Sequence, residues 1–333
     1  MPIILPPGLP AIRRLDEEGI AVFHPAAVPD SDRRAHGDHR DADPLRILLV
    51  NLMPDKPRTE WQFARLLGRS SRMVKLTLTM PQNHVCRTTE TGHLERFYVP
   101  WRAARWRRFD GMIVTGAPVE RMAFEAVDYW PEFREIADWA LGTALRSLFV
   151  CWSAQAALYH RYGVPKHQTA RKRFGIFRHS LARRSPLARG LGGTMPMPVS
   201  RHAETRAADL PGGAGLTVGA VAADGGLGLV EDPRNRSAYL FDHPEYDGAC
   251  LHDEYRRDRA AGRTAFRPIN HPHGAIPDTD THWHSKAGRL MANWLDLAAR
   301  DASRRARSRR RSAAPAKTAS HVSISRAAWM VFA

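Results

Sequence analysis

The chain has 333 residues, of which 43% are hydrophobic, and its 50 Lys and Arg against 34 Asp and Glu give a formal net charge of +16 at pH 7. This length and apolar content suffice for a large packed core and exclude a wholly disordered protein. Cys86, Cys151 and Cys250 are far apart and odd in number, which argues against a disulfide framework or a CxxC metal site. No apolar run has the length of a membrane span, and no secretory signal opens the chain. We predict a cytoplasmic protein with no membrane partner.

The positive charge is concentrated near the C-terminus. From Arg300 onward nine Lys and Arg face a single acid, Asp301, so half of the excess charge lies in this stretch. We predict that residues 300–333 form a basic disordered tail, because they hold too few apolar residues to fold. Charge alone lets such a tail bind acidic surfaces or nucleic acid weakly. A basic nucleic-acid-binding protein is therefore the non-enzymatic alternative.

The organised part of the chain is predicted to begin with strand, helix and strand. Residues 1–45 are rich in Pro, Asp, Arg and His, and we expect them to form an irregular N-terminal arm. The apolar run 47–50 is typical of a strand buried on both faces, and Pro57 suits the first turn of the helix that follows. The alternating pattern of 74–80 predicts the second strand.

The next segments repeat the same alternation. Residues 109–115 predict a buried strand, and a turn of small residues follows at 116–120. A helix is predicted to open at Tyr129-Trp130-Pro131, before a strand that ends at Cys151. Repeated strand–helix units predict a parallel sheet covered by helices on both faces, with ligands bound at the carboxyl edge.

The second half of the chain mixes the two kinds of strand pairing. Short alternating runs with glycines in 196–230 predict antiparallel strands, and 237–241 predicts one more strand, which ends at Asp242. A helix containing Leu251 and Tyr255 follows, and an amphipathic helix over 286–299 closes the fold. We find no linker that divides 46–299, so we predict a single domain there.

Cys151 joins the apolar run 148–150 to an alanine-rich, helix-prone run. A thiol at a strand-to-helix turn lies at a helix N-terminus, where the helix dipole favours the nucleophilic thiolate. A buried core cysteine is the alternative that these residues alone leave open.

His243 and Glu245 also follow a predicted strand, so the sheet brings them to the same edge as Cys151. A histidine there can take a proton from an incoming nucleophile, while the carboxylate fixes its tautomer and stabilises the imidazolium. His-Pro-Glu by itself is a weak signal, but with Cys151 at a strand-to-helix turn the set predicts nucleophilic catalysis.

Several further motifs accompany these residues. The set consists of Asn51-Leu52-Met53-Pro54, Thr59-Glu60 with Gln62, Thr115-Gly116-Ala117-Pro118, Tyr129-Trp130-Pro131, Cys151-Trp152-Ser153-Ala154-Gln155-Ala156-Ala157-Leu158 and His243-Pro244-Glu245-Tyr246-Asp247. With these motifs the chain resembles the homoserine O-acyltransferases of methionine biosynthesis, a class historically called homoserine O-succinyltransferases. The resemblance covers about residues 2–298.

This resemblance implies a flavodoxin-like α/β fold related to class I glutamine amidotransferases, usually as a homodimer. It implies a ping-pong reaction in which Cys151 takes the acyl group from acyl-CoA, with no other cofactor. His243, oriented by Glu245, then deprotonates the hydroxyl of L-homoserine. A glutamine amidotransferase with the same fold and triad is a second enzymatic possibility, although the further motifs favour the acyltransferase.

Other positions receive roles from the same resemblance. Lys172, Ser200 and Arg257 match the substrate-contacting positions of the family, and an arginine fork suits the carboxylate of an amino acid. The backbone amides of Trp152 and Val119 are candidates for the oxyanion hole, since Pro118 has no N–H.

Glu120 bears on the acyl group. The resemblance has glycine at this position in succinyl-transferring members and glutamate in acetyl-transferring ones. A carboxylate there would shorten the acyl pocket and repel the free carboxylate of a succinyl group. We therefore expect acetyl-CoA as donor, with succinyl-CoA as the alternative.

The chain departs from the family pattern in two places. Ser153 follows Trp152 where alanine, glycine or valine is commoner. His271-Pro272-His273 and His282-Trp283-His284-Ser285 occupy a stretch where members often carry Asn-Asp-Pro and Trp-Arg-Ser, which leaves L-serine open as acceptor. We predict no metal site there, because no cysteine or carboxylate stands at ligand spacing.

Overall fold

The structure of the chain is a computed structural model, and it describes residues 3–23, 43–84, 86–272, 274 and 282–313. Its centre is a single sheet of eleven strands within these residues. In chain order the strands are β1 (Ile3–Ile4), β2 (Val22–Phe23), β3 (Leu45–Val50), β4 (Val74–Thr79), β5 (Gly111–Val114), β6 (Arg146–Val150), β7 (His167–Leu181), β8 (Thr194–Glu204), β9 (Thr217–Ala222), β10 (Leu227–Asp232) and β11 (Ser237–Leu240).

Helices cover the sheet and connect its strands. They are α1 (Ala11–Glu17), α2 (Lys56–Gly68), α3 (Thr91–Phe97), α4 (Trp101–Ala104), α5 (Trp130–Gly142), α6 (Trp152–Tyr162), α7 (Cys250–Ala260) and α8 (His284–Ala313), with short 3₁₀ turns at Phe124–Ala126 and Ala207–Asp209. The connection after His84, for which the sequence indicates no structure, thus contains α3 and α4.

The strand order across the sheet is β2-β1-β4-β3-β5-β6-β11-β10-β9-β7-β8. All neighbours from β2 through β11 run parallel, and those from β11 to β8 run antiparallel. The prediction of a mostly parallel sheet followed by antiparallel strands is confirmed. The carboxyl ends of β3, β5, β6 and β11 consequently meet at one edge.

The central strand β3 shows why the sheet must be covered on both sides. Its residues Ile47, Leu48, Leu49 and Val50 are all completely buried. Ile47 and Leu49 belong to a core with α2 and α8, whereas Leu48 belongs to a second core with α5 and α6. Because successive side chains of a strand point to opposite faces, this apolar run contributes to both layers.

The prediction of an irregular N-terminal arm is wrong for residues 3–23. β1 lies between β2 and β4, and Ile3 pairs with both Val22 and Val74 in parallel register. Ile3 and Leu15 are fully buried in the core. Two-residue strands and a seven-residue helix are too short to produce a recognisable period, and these elements depend on the neighbouring sheet. Residues 24–42 of the predicted arm lie outside the described residues.

The prediction of a tail from residue 300 is also wrong as far as Ala313, because α8 continues through this stretch. Asp301 lies on the helix and pairs with Arg146, the first residue of β6, with Oδ2 2.6 Å from Nη2. Arg305 donates a 2.7 Å hydrogen bond to the carbonyl of Ala144. Arginine and alanine are strong helix formers, so polar composition did not prevent a helix here. Residues 314–333 lie outside the described residues.

Candidate active site

The backbone turns sharply at Cys151, between β6 and α6. Cys151 has φ 52° and ψ −115°, a region that residues with a side chain rarely occupy. Its carbonyl accepts the amides of Ala154 and Gln155 at 3.0 and 3.3 Å, so the helix starts directly behind the thiol. Such strain costs about 1–3 kcal/mol and persists where the surrounding structure enforces it, often at functional sites.

Ser153 holds this turn in place. Its hydroxyl oxygen accepts the amide of Val150 at 2.8 Å and lies 2.8 Å from the carbonyl oxygen of Val114. One buried hydroxyl therefore ties the ends of β5 and β6 together beneath the nucleophile. The serine, a departure from the commoner small apolar residues, has a positioning role in this chain.

Gly116 lies between the thiol and the histidine. A Cβ at this position would lie 3.1 Å from the Cβ of Cys151 and 3.3 Å from Cε1 of His243. The loop after β5 therefore approaches the other two elements as closely as it does because residue 116 has no side chain. The small residue at the start of the turn predicted at 116–120 is therefore required for the close packing of these elements.

His243 and Glu245 follow β11 and complete the set that we call the triad. His243 Nδ1 lies 2.6 Å from Oε1 of Glu245, and the imidazole is hydrogen-bonded to Cys151. Burial alone would lower the pKa of His243, but the charges of Cys151 and Glu245 and their hydrogen bonds raise it well above its ordinary value. This environment favours an imidazolium beside Cys151, an arrangement that suits a cysteine nucleophile.

Contacts with β7 and β8 hold the start of the loop that carries His243. The amide of His243 donates to the carbonyl of Pro198 at 2.9 Å. Asp242, completely buried, is paired with Arg201 and lies 2.8 Å from Nε2 of His179. The neighbouring charges thus hold the residue before His243 in the interior, where an unpaired carboxylate would be unstable.

The histidine-rich segment supports this loop from the other side. The Tyr246 ring stacks on His243, with 4.2 Å between ring centroids. The Tyr246 carbonyl accepts the indole N–H of Trp283 at 3.0 Å and lies 2.8 Å from Nε2 of His284. His284 is buried and belongs to the scaffold of the triad. Among the described residues no group of three or more His, Cys, Asp or Glu could hold a metal ion, and His273 lies outside them.

Lys172, Ser200 and Arg257 meet at an acid that the sequence reasoning missed, Glu254 of α7. Glu254 Oε1 lies 2.7 Å from the ammonium of Lys172, accepts the hydroxyl of Ser200 at 2.8 Å and lies 3.4 Å from Arg257. Asp258 adds a second acid, 3.2 Å from Lys172 and 3.2 Å from Arg257. We call these five residues the polar cluster. A glutamate in an amphipathic helix carries no motif, so only the fold reveals it.

The polar cluster lies next to the triad. The Lys172 ammonium is 4.3 Å from the centroid of the Phe174 ring. Phe174 belongs to the same small apolar core as Tyr246, which stacks on His243. A molecule bound at Lys172 and Glu254 would therefore be within reach of the triad along the rings of Phe174 and Tyr246.

Glu120 lies among cationic groups on the loop after β5. Its carbonyl accepts the amide of Gln168 at 2.8 Å. Burial lowers the pKa of Lys166 to about 8, and the nearby Glu120 carboxylate opposes this shift. The neighbouring Arg121 reaches His202, 3.0 Å from its Nδ1, and His202 lies on the same face of β8 as Ser200. Glu120 thus lies near the part of the polar cluster to which β8 contributes Ser200.

The oxyanion-hole candidates occupy suitable backbone positions. Trp152 is the first residue of α6, where a helix leaves its amides without partners from within the helix. Val119 is half-buried on the loop that contains Gly116. Their roles stay predictions.

Comparison with known proteins gives a consistent answer. The model of the family described as "HTS: Homoserine O-succinyltransferase" matches residues 2–304. The chain belongs to the homoserine O-succinyltransferase family. The homoserine O-acetyltransferases of Brucella canis and Brucella abortus are each 43% identical to this family member over 299 residues, covering 89% of this chain and 95% of theirs. The resemblance stated from the motifs is therefore confirmed.

Solved structures support the fold of this family member. A glutamine amidotransferase from Methylobacillus flagellatus superimposes with a TM-score of 0.51 at 11% identity, covering 76% of this chain and 94% of its own. One from Thermotoga maritima gives a TM-score of 0.50 at 10% identity, covering 77% and 99%. The predicted glutamine-amidotransferase-like fold is confirmed, and identities this low concern the fold alone. A search of the described helices finds none with the length and apolar character of a membrane span.

Proposed function

We propose that this protein transfers an acetyl group from acetyl-CoA to the hydroxyl of L-homoserine through an acyl-cysteine. The observation that carries the proposal is the buried triad with the polar cluster beside it. The triad supplies a nucleophile and a proton acceptor. The polar cluster supplies paired charges of both signs, which suit the ammonium and carboxylate of a free amino acid.

In the first half-reaction the Cys151 thiolate attacks the thioester carbonyl of the donor. The C–S bond to coenzyme A breaks, and the departing sulfur takes the proton of the His243 imidazolium. Glu245 keeps the imidazole oriented throughout, as its 2.6 Å contact to Nδ1 allows. The amides of Trp152 and Val119 would stabilise the transient oxyanion.

In the second half-reaction the neutral His243 accepts the proton of the homoserine hydroxyl. The oxygen attacks the acyl-cysteine, the ester forms, and Cys151 leaves as thiolate beside the imidazolium. Lys172 and Arg257 would bind the carboxylate of homoserine, and Glu254 with Ser200 would bind its ammonium. The close Lys172–Glu254 pair would open to admit the two charges of the amino acid, each of which replaces a partner already present.

Glu120 favours acetyl over succinyl in this proposal because its carboxylate repels a second carboxylate. Succinyl-CoA is the second candidate donor. Lys166 lies near enough to Glu120 for that carboxylate to affect its pKa, and its cation would attract the free carboxylate of a succinyl group. We further propose a homodimer in the cytoplasm that acts in methionine biosynthesis.

The experiment that tests the proposal is to incubate the protein with acetyl-CoA or succinyl-CoA, without acceptor, and measure its mass. We expect one acetyl adduct, absent in Cys151→Ala and retained in Cys86→Ser, a matched change at a half-buried cysteine outside the triad. Addition of L-homoserine should discharge the adduct faster than addition of L-serine. A protein that forms no adduct with either donor would refute the acyl-enzyme mechanism.

A further inference from the structure

An exposed basic surface borders the polar cluster and shares charged residues with it. Between Glu254 and Arg267 five arginines face two acids, and Arg171 and Lys172 of β7 add two more cations. Within it Phe266 has 58% of its surface exposed, an unusual position for a large aromatic ring. We call Arg171, Arg263 and Phe266 the rim. Nothing in the half-reactions above uses these residues.

The rim has a defined geometry. The guanidinium of Arg171 lies over the ring of Phe266, 5.6 Å from its centroid. The segment that carries Phe266 is fixed to β7, because Ile269 donates to the carbonyl of Phe174 at 2.9 Å and accepts from Ile176 at 2.8 Å. Gly175, with φ 143°, permits this contact, since a Cβ there would lie 2.2 Å from the Ile269 carbonyl oxygen. Backbone hydrogen bonds to β7 thus hold this segment in place while the Phe266 ring is exposed to solvent.

One carboxylate connects the rim to the site. Asp258 lies 3.2 Å from Lys172 on its inner side and 3.2 Å from Arg263 on its outer side. Lys172 is mostly buried, with 15% of its side chain exposed, whereas Arg263 has 68% exposed. A molecule that passes along the outer side of the polar cluster would meet Arg263 next. The rim is therefore the outer continuation of the same site.

We propose that the rim binds the nucleotide end of the coenzyme A thioester, an adenosine bearing phosphates. Guanidinium groups suit phosphate oxygens, and a phenylalanine ring that already has an arginine on one face can stack an adenine. This inference rests on the proposed function, because it assumes that the acyl donor is a coenzyme A thioester.

The reach of the donor agrees with this placement. The pantetheine arm is about as long as four extended residues, roughly 14 Å at the rise of an extended chain. Contacts connect the triad to Lys172 in steps: Tyr246 stacks on His243, Phe174 shares a small apolar core with Tyr246, and the Lys172 ammonium lies over the Phe174 ring. Asp258 extends this series of contacts from Lys172 to Arg263, so an arm that follows it leads from the thiol to the rim.

The test compares two donors that share the reacting end. Acetyl-pantetheine has the thioester and the arm but lacks the nucleotide. In the double variant Arg171→Ala/Arg263→Ala we expect kcat/KM for acetyl-CoA to fall on the order of tenfold, with kcat and the KM for L-homoserine unchanged. The kcat/KM for acetyl-pantetheine should stay at the wild-type value. Phe266→Ala should show the same selective loss. Arg13→Ala is the matched control, because Arg13 is an exposed arginine in an ion pair on α1.

The outcomes separate this inference from the proposed function. If wild-type protein is acetylated on Cys151 by both donors and the rim variants lose activity with both equally, or with neither, the nucleotide assignment is wrong and the acyltransferase stands. If neither donor acetylates wild-type Cys151, the proposed function itself fails. A change of oligomeric mass in the rim variants, without a donor-selective loss, would show that the surface contacts a second copy of the chain and would overturn the assignment.

Discussion

The triad and the rim lie on one continuous site but differ in how they are held. Cys151, His243 and Glu245 are at most 8% exposed, and the strained turn at Cys151 is fixed by Ser153. In the rim, in contrast, Arg263 has 68% of its side chain exposed and Phe266 has 58% of its surface exposed. In the interior a misplaced group leaves an unsatisfied partner, whereas at the surface water can replace it. Changes in the first region should therefore affect turnover, and changes in the second should affect which substrate binds.

The largest effect should come from Glu245→Gln. We expect kcat to fall roughly 10²–10⁴-fold, the range for a lost general acid–base function, because the imidazole loses its orienting carboxylate. The variant also removes a charge that raises the pKa of His243. The imidazolium is lost when the pH rises through this pKa, so the alkaline decline of Cys151 acetylation should move to lower pH. Rapid-mixing measurements of adduct formation against pH check both points, and an unchanged pH profile would contradict the role of Glu245.

The next effect should come from Gly116→Ala, which fills the gap between the thiol and His243. We expect kcat to fall roughly 10- to 10²-fold, because Cβ contacts of 3.1 and 3.3 Å displace the thiol and the imidazole by a few tenths of an ångström, and a displacement of about 1 Å costs about 10²-fold. Gly92→Ala, in a helix where a Cβ would meet nothing within 4 Å, is the matched control and should retain full activity. Equal activities of the two variants would show that the turn at Gly116 tolerates a side chain.

A smaller and more selective effect is expected from Glu254→Gln. The amide keeps the shape but removes the negative charge that we assign to the ammonium of the acceptor. The KM for L-homoserine should rise about tenfold, while acetyl-adduct formation on Cys151, which needs no acceptor, should keep its rate. Adduct formation that slows in parallel would place Glu254 in the support of the triad instead.

The smallest change in total activity should come from Glu120→Gly. We expect the ratio of kcat/KM for succinyl-CoA to that for acetyl-CoA to rise about tenfold, with little loss for acetyl-CoA, because a repulsive charge is removed. Competition between the two donors, read as the mass of the adduct, measures this ratio. A constant ratio would remove Glu120 from donor selection.

The triad could be predicted from the sequence because its residues directly follow the ends of two strands. The apolar runs before Cys151 and Asp242 are long enough to be recognised, and parallel strands bring their carboxyl ends together. The motifs around Cys151 and His243 then point to a particular chemistry.

Other parts depended on tertiary contacts and could not be found in this way. β1 and β2 have two residues each and exist because β4 offers an open edge. Glu254 is ordinary in a polar helix until β7 and β8 place Lys172 and Ser200 against it. The continuation of α8 depends on Arg146 at the start of β6, far away in the sequence, so polar composition alone suggested a disordered tail.

The pairing of Asp301 with Arg146 has a consequence for how the protein is made. β6 ends at the nucleophile, and the acid that pairs with its first residue lies in the last described helix. A nascent chain on the ribosome therefore has Cys151 outside the exit tunnel long before Asp301 emerges. The full set of contacts around this strand can form only when synthesis is nearly finished, and a chain released before residue 301 would lack the acid that pairs with Arg146 at the start of the strand.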